Sequence, residues 1–204
     1  MAFPEGISLV YVEVLEDDCF QEFADDLNEI GIVTTVDSRP NPGPQASLEW
    51  LMPTAVMAGI AGGFFAETGK ELFHLLKRKL ADFTNETIQK PRIEPVMFGT
   101  SGKLKENNPY SSAFSIYSEA KMNRRFKLLI PKYSSDTDYN QIVFSYLDFL
   151  KDYSDGLVCE DDIGVDLTGG LSSTILVHYN ITTNRIEWVD PLPPHVRAKI
   201  QAVQ

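Results

Sequence analysis

Cysteine and histidine are scarce in this sequence, which has two cysteines and three histidines among 204 residues. Cys19 and Cys159 lie far apart, and neither belongs to a CxxC pair or to a Cys/His spacing typical of zinc sites. We therefore predict no disulfide framework, no bound metal and no cofactor. The chain opens without a basic-then-apolar leader, so we expect a cytoplasmic protein with reduced thiols.

Basic residues are also few, because 18 lysines and arginines stand against 29 aspartates and glutamates, for a net charge of −11. A field of that sign repels the phosphates of nucleic acids and the headgroups of anionic lipids. We therefore expect no nucleic-acid binding. The same charge favours a basic partner protein, such as an effector.

Catalytic motifs are not recognisable. Cys159 and His178 are candidates for a nucleophile–base pair, since such pairs need neither a fixed spacing nor a fixed order. No motif surrounds either residue, so we prefer to interpret them as a buried thiol and a strand histidine. No catalytic residue is predicted, and the balance leans towards a protein that is not an enzyme.

Residues 1–84 are predicted to form a β-α-β-α unit. The β-branched and aromatic residues of "ISLVYVEVLE" indicate a first strand. The stretch "DDCFQEFADDLNEIG" has apolar residues at helical spacing between an aspartate cap and Gly31. "IVTTVDS" is predicted as a second strand, and "RPNPGP" as a loop.

A segment of small uncharged residues follows, "WLMPTAVMAGIAGGFFAETGKELFHLLKRKL". Ala55, Gly59 and Gly63 are four residues apart, which on a helix produces a face without bulk that another backbone can approach closely. We predict a buried interaction helix here, running into an amphipathic helix that ends in a basic run. Membrane insertion of residues 50–66 is the alternative, against which Pro53 and the glycines argue. The spacing GxxxxGK[ST] of a phosphate loop is absent.

Residues 85–112 are marked by proline and glycine, and we place a linker with one short strand there. A second domain, residues 113–204, is predicted to contain a hairpin of "SAFSIYSEA" and "RRFKLLIP", a long helix over "TDYNQIVFSYLDFLKDY", and another hairpin in "STILVHYNITTNRIEWVD". The predicted fold class is α+β: an N-terminal β-α-β-α unit followed by an antiparallel sheet with one long packing helix.

Two neighbouring stretches in residues 155–173 are candidates for ligand binding. "SDGLVCEDDIGVD" concentrates carboxylates, the ligands that calcium and magnesium prefer, although a solvated acidic loop explains it more simply. In "VDLTGGLSST" the amides of two glycines can turn towards an anion. The candidate residues are Asp166, Thr168, Gly169, Gly170 and Ser172.

The "DLTGG" stretch resembles the DxTGG loop of CARF-type sensors, which implies a cyclic oligonucleotide as ligand. Those sensors have a lysine and a helix after the loop, whereas a strand is predicted here. A glycine turn that enters this strand is therefore the alternative, and we favour it.

The order of parts in residues 7–80 resembles the effector-associated constant component of predicted bacterial conflict systems. The resemblance is carried by a strand, an acidic helix, a strand, then "RPNPGP", "TAVMAGIAGGFF" and "LFHLLKRKL". It implies an accessory or immunity component of a defence or toxin system, and no catalytic residue is carried over. We predict a non-enzymatic cytosolic interaction or regulatory protein. The alternatives are a nucleotide-sensing or metal-dependent hydrolytic domain using residues 155–173, and a membrane-associated effector.

Overall fold

The computed structural model describes residues 6–41, 54–61, 63–67, 69–90, 109–166, 173–192 and 194–202. Within these ranges the strands are β1 (Ile7–Val12), β2 (Thr34–Arg39), β3 (Val56–Ile60), β4 (Tyr110–Ala120), β5 (Arg124–Pro131), β6 (Thr174–Asn180) and β7 (Arg185–Trp188). The helices are α1 (Asp18–Glu29), α2 (Phe64–Glu67), α3 (Lys70–Gln89), α4 (Tyr139–Ser154) and α5 (Pro194–Gln201). The strands form one sheet in the order β2-β1-β3-β4-β5-β6-β7.

Parallel and antiparallel pairs alternate across this sheet. The pairs β1–β2, β3–β4 and β5–β6 are parallel, and the pairs β1–β3, β4–β5 and β6–β7 are antiparallel. The connection within each parallel pair contains a long helix, α1, α3 or α4, because parallel neighbours need a crossover that returns the chain to the same end. The α+β fold class is confirmed. The predicted antiparallel arrangement of the second half is wrong in one respect, since α4 makes β6 parallel to β5.

One sheet passes through both of the predicted domains. β3 lies beside β4, with Val56 opposite Phe114 and Ala58 opposite Ile116. Much of the predicted linker, residues 91–108 with its short strand, lies outside the described residues. The structure therefore joins residues 1–84 and 113–204 through a strand pair in the middle of the sheet.

The predicted interaction helix at Ala55, Gly59 and Gly63 is wrong. Residues 56–60 form β3, in which Gly59 lies between Ser8 of β1 and Tyr117 of β4. Small residues are compatible with either structure, but β1 and β4 offer hydrogen bonds to both edges of this segment, and such tertiary pairing outweighs local preference. The first helix after β3 is α2, which begins at Phe64. In the described part of the chain, no helix is both long and apolar enough to cross a membrane.

The hydrophobic core lies between one face of the sheet and the helices α1, α3 and α4. We refer to this as the first face; alternate strand residues point into it, among them Leu9, Ala58, Phe114, Leu128 and Val177. Phe83 of α3 stacks on Phe23 of α1 with ring centroids 4.2 Å apart, and its ring meets that of Phe114 edge-on at 5.6 Å. Aromatic contacts of this kind hold the helices against the middle of the sheet.

A leucine at Gly59 is expected to lower the free energy of unfolding by about 1–3 kcal/mol, because it overpacks a buried position between two strands. Gly63 is the matched control. It is exposed, and nothing lies within 4 Å of a Cβ built there. Gly63→Leu should therefore change stability by less than about 0.5 kcal/mol. Urea unfolding of both variants tests the placement of this segment, and equal losses would contradict it.

Candidate ligand site on the second face of the sheet

The opposite side of the sheet, the second face, carries buried polar side chains. Strand alternation places Ser115 and Tyr117 of β4, and Lys127 and Leu129 of β5, on this face. Ser115 is 0% exposed, Lys127 2% and Tyr117 5%. A lysine is almost never buried so completely unless a specific interaction requires it. This cluster is therefore the part of the sheet that packing alone explains least.

Lys127 lies at the centre of the cluster. It is opposite Tyr117 on β4 and Leu176 on β6, and its Nζ is 5.6 Å from the centroid of the Tyr117 ring. Burial, and then the charge of Arg39, lower the pKa of Lys127 to about 7. Both effects disfavour the ammonium, which loses its hydration on burial and is repelled by a second cation. Near neutral pH, a large share of this side chain is the neutral amine.

Arg39 supplies the second cation. It is the last residue of β2, and its Nη2 donates a hydrogen bond to the backbone oxygen of Thr54. Its Nε is buried and has no hydrogen-bond partner in the described structure. Burial lowers the pKa of Arg39, and the same side chain is close enough to act electrostatically on Tyr117 and Lys127. The guanidinium therefore has one buried donor, Nε, that no described group accepts from.

Ser115 adds a hydroxyl without a partner. Its Oγ is fully buried, and no group of the described residues bonds to it. A buried polar atom left in this state costs about 1–3 kcal/mol relative to one that is bonded. Such atoms in a native fold indicate a bound water, ion or ligand. We refer to Arg39, Ser115, Tyr117 and Lys127 together as the Lys127 site.

Tyr117 does not balance the two cations. Burial raises the pKa of its hydroxyl above the ordinary value, against the opposing charges of Arg39 and Arg125. The side chain therefore stays neutral at physiological pH and contributes a ring and a hydroxyl. An anion with several oxygen atoms can offset positive charge and accept hydrogen bonds from unpartnered donors.

A second polar pair lies further along the same face. The hydroxyl of Tyr110 on β4 and Nδ1 of His178 on β6 are 2.9 Å apart. Burial lowers the pKa of His178, while Glu187, opposite it on β7, raises the pKa. The imidazole is therefore mostly neutral at pH 7. The polar surface of the second face thus extends from the Lys127 site towards β7.

Of the candidate residues in the "DLTGG" loop, the structure describes only Asp166. Asp166 accepts a hydrogen bond from Nη1 of Arg197 at 3.1 Å, and Arg197 also binds both carboxylate oxygens of Asp190, at 2.6 and 2.9 Å. The guanidinium lies over Trp188, so Asp166 helps to attach α5 beside β7. The remaining loop candidates, Thr168, Gly169, Gly170 and Ser172, lie outside the described residues, and the anion loop stays a prediction.

The carboxylates before this loop point to separate partners. Asp155 pairs with Lys151 at 2.7 Å, and Glu160 lies 3.3 Å from Nη2 of Arg124 and accepts from the Tyr153 hydroxyl at 2.8 Å. Among the described residues, no group of three or more His, Cys, Asp and Glu side chains is placed to hold a metal ion.

Cys159 is exposed, so its interpretation as a buried thiol is wrong. Its Sγ lies 3.1 Å from Oδ2 of Asp162, whereas His178 contacts Tyr110. The structure therefore does not bring Cys159 and His178 together as a nucleophile–base pair.

Arg39 and Lys127 were missed as site residues by sequence reasoning. The available signal was the lysine in "RRFKLLIP", which interrupts an apolar run of the type found in strands buried on both faces. The partnership with Arg39 had no signal, because the two residues are far apart in sequence and on different strands. Comparisons with protein-family models, with curated proteins and with solved structures give no match for this chain.

Proposed function

We propose that this protein is a non-catalytic regulatory protein that binds a small anionic ligand at the Lys127 site. The observation that carries the proposal is a lysine 2% exposed, on which a second cation, Arg39, acts electrostatically, in a chain of net charge −11. A second like charge makes a buried ammonium less favourable still, and an anion bound nearby would offset both charges.

Unpartnered hydrogen-bonding groups support a ligand at this position. Arg39 Nε can only donate, and the Ser115 hydroxyl can donate as well. Carboxylates, phosphates and sulfates present several acceptor oxygens, and a guanidinium matches their geometry. The ligand is therefore expected to carry at least one such group.

The position of the site in the sheet supports regulation. Lys127 and Ser115 lie on β5 and β4, and β4 pairs with β3 where the two halves of the chain meet. A ligand bound there stabilises the centre of the sheet, because any molecule that binds only the folded state adds to its stability. The resemblance of residues 7–80 to an accessory module is consistent with such a role.

A panel of anions tests this function by thermal unfolding. Sulfate, pyrophosphate, mononucleotides, cyclic oligonucleotides, dicarboxylates and 2-oxo acids are added at millimolar concentration. We expect at least one to raise the melting temperature of the wild-type protein by on the order of 5 °C, as a ligand at about 100 times its Kd would.

Variants assign that shift to the site. Lys127→Met and Arg39→Gln should each remove most of it, since a charge-assisted hydrogen bond contributes about 1.5–3 kcal/mol. Lys132→Met and Arg185→Gln change exposed residues of the same types and should keep it. The proposal fails if no anion stabilises the wild-type protein, or if Lys127→Met responds equally.

An acidic surface suggests a second function, the docking of a basic partner protein. Residues 6–38 contain no lysine, arginine or histidine. Seven carboxylates are exposed on α1 and the turn before it, and one of them, Asp26, pairs with Lys79. We refer to the other six as the acidic face: Glu13, Glu16, Asp18, Glu22, Asp25 and Glu29. A basic surface would be attracted to this face over about a Debye length.

Charge reversal tests this docking. Glu22→Lys/Asp25→Lys is expected to reduce co-purification with a basic protein encoded by an adjacent gene by about tenfold at low salt. Asp136→Lys/Asp161→Lys makes the same charge change at exposed positions outside the acidic face and should have no effect. Equal retention of the partner by both variants would contradict docking on α1.

A further inference from the structure

We propose that the outer edge of β2 receives an extended segment of a partner protein, which joins the sheet as a further strand and carries lysine or arginine at alternate positions. This inference rests on the docking of a basic partner proposed for the acidic face, and it names the element that receives the partner. It is independent of the anion site. When a peptide joins a sheet in this way, backbone hydrogen bonds supply affinity and alternate side chains supply specificity.

β2 forms one edge of the sheet. Within the described ranges it pairs only with β1, in a continuous parallel register from Thr34 to Arg39. Edge strands are commonly kept very short or protected by a lysine, a proline or a bulge. β2 is six residues long and contains none of these three, whereas β7 at the other edge is four residues long. β2 therefore presents a regular outer edge.

Every second residue of β2 directs its backbone groups towards this outer edge. The amide of Ile7 donates to the backbone oxygen of Val33 at 2.9 Å. In a parallel pair alternate residues of a strand bond to a given neighbour, so the groups of the residues in between point to the other side. In β2 these outward-pointing residues are Thr34, Val36 and Ser38.

A side chain already occupies the first of these three positions. The amide of Thr34 donates to Oδ1 of Asn28 at 2.9 Å, and Nδ2 of Asn28 donates to the backbone oxygen of Thr34 at 3.1 Å. Asn28 thus makes the pair of bonds that a neighbouring strand would make. For Val36 and Ser38, no group of the described residues bonds to the outward amide or carbonyl. These two residues can therefore accept a further strand.

The charge around this edge determines the chemistry of the partner segment. Strand alternation places Val36 on the first face and Asp37 on the second face, where Asp37 is exposed. Asp25 of the acidic face lies on the same side of α1 as Asn28, since residues three apart are neighbours on a helix. A strand beside β2 therefore has a carboxylate near each of its faces. A lysine or arginine opposite Asp37 would form a favourable cross-strand pair.

A second copy of this chain fits the edge less well than a basic segment does. In an antiparallel pair of two β2 strands, both copies of Asp37 would lie on the same face, and like charges on neighbouring strands are unfavourable. The two acidic faces would also approach each other, with a net charge of −11 on each chain. Charge complementarity therefore favours a basic partner.

Peptide binding tests the inference on the full-length protein. The probe is a nine-residue peptide that alternates lysine with threonine. The control is the same peptide with every backbone amide N-methylated, which keeps its charge but removes its backbone donors. We expect the probe to bind at low salt and the control to bind at least tenfold more weakly, because it cannot donate to the carbonyls of Val36 and Ser38.

Hydrogen exchange locates the bound peptide. In the free protein, the outward amides of Val36 and Ser38 should exchange faster than the amide of Thr34, which is bonded to Asn28. The probe at ten times its Kd should slow exchange at Val36 and Ser38 about tenfold. If these amides are already as protected as that of Thr35 in the free protein, or if their protection rises with protein concentration, this chain itself occupies the edge and the inference is wrong.

Two substitutions change the edge in different ways. Ser38→Pro removes an outward donor and keeps the bonds to β1, since an edge strand tolerates proline where its N–H faces solvent, and it should weaken binding at least tenfold. Asp37→Lys keeps every backbone group and should weaken binding about fivefold. Asp136→Lys makes the same charge change at an exposed position outside β2 and should bind like the wild-type protein. Circular dichroism establishes that each variant is folded.

The outcomes separate strand addition from docking on the acidic face. If both peptides bind equally and Ser38→Pro has no effect, while Glu22→Lys/Asp25→Lys abolishes binding, the docking stands and strand addition is wrong. If Ser38→Pro loses the probe and Glu22→Lys/Asp25→Lys keeps it, strand addition stands and docking on α1 is wrong. If the probe does not bind the wild-type protein at low salt, both proposals fall.

Discussion

The stability of the wild-type protein is expected to rise between pH 7 and pH 10 because of Lys127. The variant Lys127→Met is expected to lack this rise. The pKa of Lys127 is about 7 in the folded protein and has its ordinary value near 10.5 in the unfolded chain. Between these values the unfolded chain binds a proton that the folded protein does not, so stability rises with pH. At about 1.4 kcal/mol for each pH unit, the difference between the two proteins is on the order of 3 kcal/mol.

Other groups titrate in the same window with the opposite sign. Burial raises the pKa of Cys19 to about 11, and it also raises the pKa values of Tyr117 and Tyr146, so their contributions to stability are lost at high pH. These groups are common to both proteins and cancel in the comparison. Urea unfolding at half-unit intervals, with Lys132→Met as control, measures the difference. If the free energy of unfolding changed with pH in the same way in the wild-type protein and in Lys127→Met, the pKa of Lys127 would not be lowered in the folded protein.

Phe114→Ala is expected to lower the free energy of unfolding by about 3–5 kcal/mol. Phe114 is 0% exposed on the first face of β4, opposite Val56, and it contacts Phe83 of α3. Removing its ring leaves a cavity at the strand pair that joins the two halves of the chain. Because one sheet spans both halves, β1 and β6 should lose their amide protection in the same transition.

Hydrogen exchange and urea unfolding check this result. Val14→Ala, which truncates a side chain 72% exposed, should stay within about 0.5 kcal/mol of the wild-type protein. Two separate transitions in Phe114→Ala, with the half containing β6 still folded after β1 has unfolded, would mean that the chain consists of two independent domains.

The elements that could be predicted from the sequence are those with a strong local pattern. Helix α1 has an aspartate cap, Asp17, which accepts from the amide of Cys19, and it ends before Gly31, which has a positive φ. Helix α4 begins in the same way at Asp138 and places Tyr146, Leu147 and Leu150 inward. In such segments the caps and the apolar period agree, so local and tertiary preferences coincide.

The elements that could not be predicted depend on contacts between distant segments. Small residues in "TAVMAGIAGG" suit a helix or a strand, and only the presence of β1 and β4 on either side decides for β3. Likewise, Lys127 and Arg39 lie 88 positions apart in the chain, on strands β5 and β2 that β1, β3 and β4 separate in the sheet. Periodicity reports which side chains share a face of one strand, but it does not report the order of strands.

The measurement that tests the central claim most directly is an NMR titration of the protein labelled with 13C-lysine, in which Lys127→Met identifies the Cε signal of Lys127. With no anion present, the midpoint of this signal should lie near pH 7, and a saturating anion should raise it by at least one unit because the ammonium gains an opposite charge. A midpoint near 10.5 in the free protein, or one that every anion of the panel leaves unchanged, would contradict an anion site at Lys127.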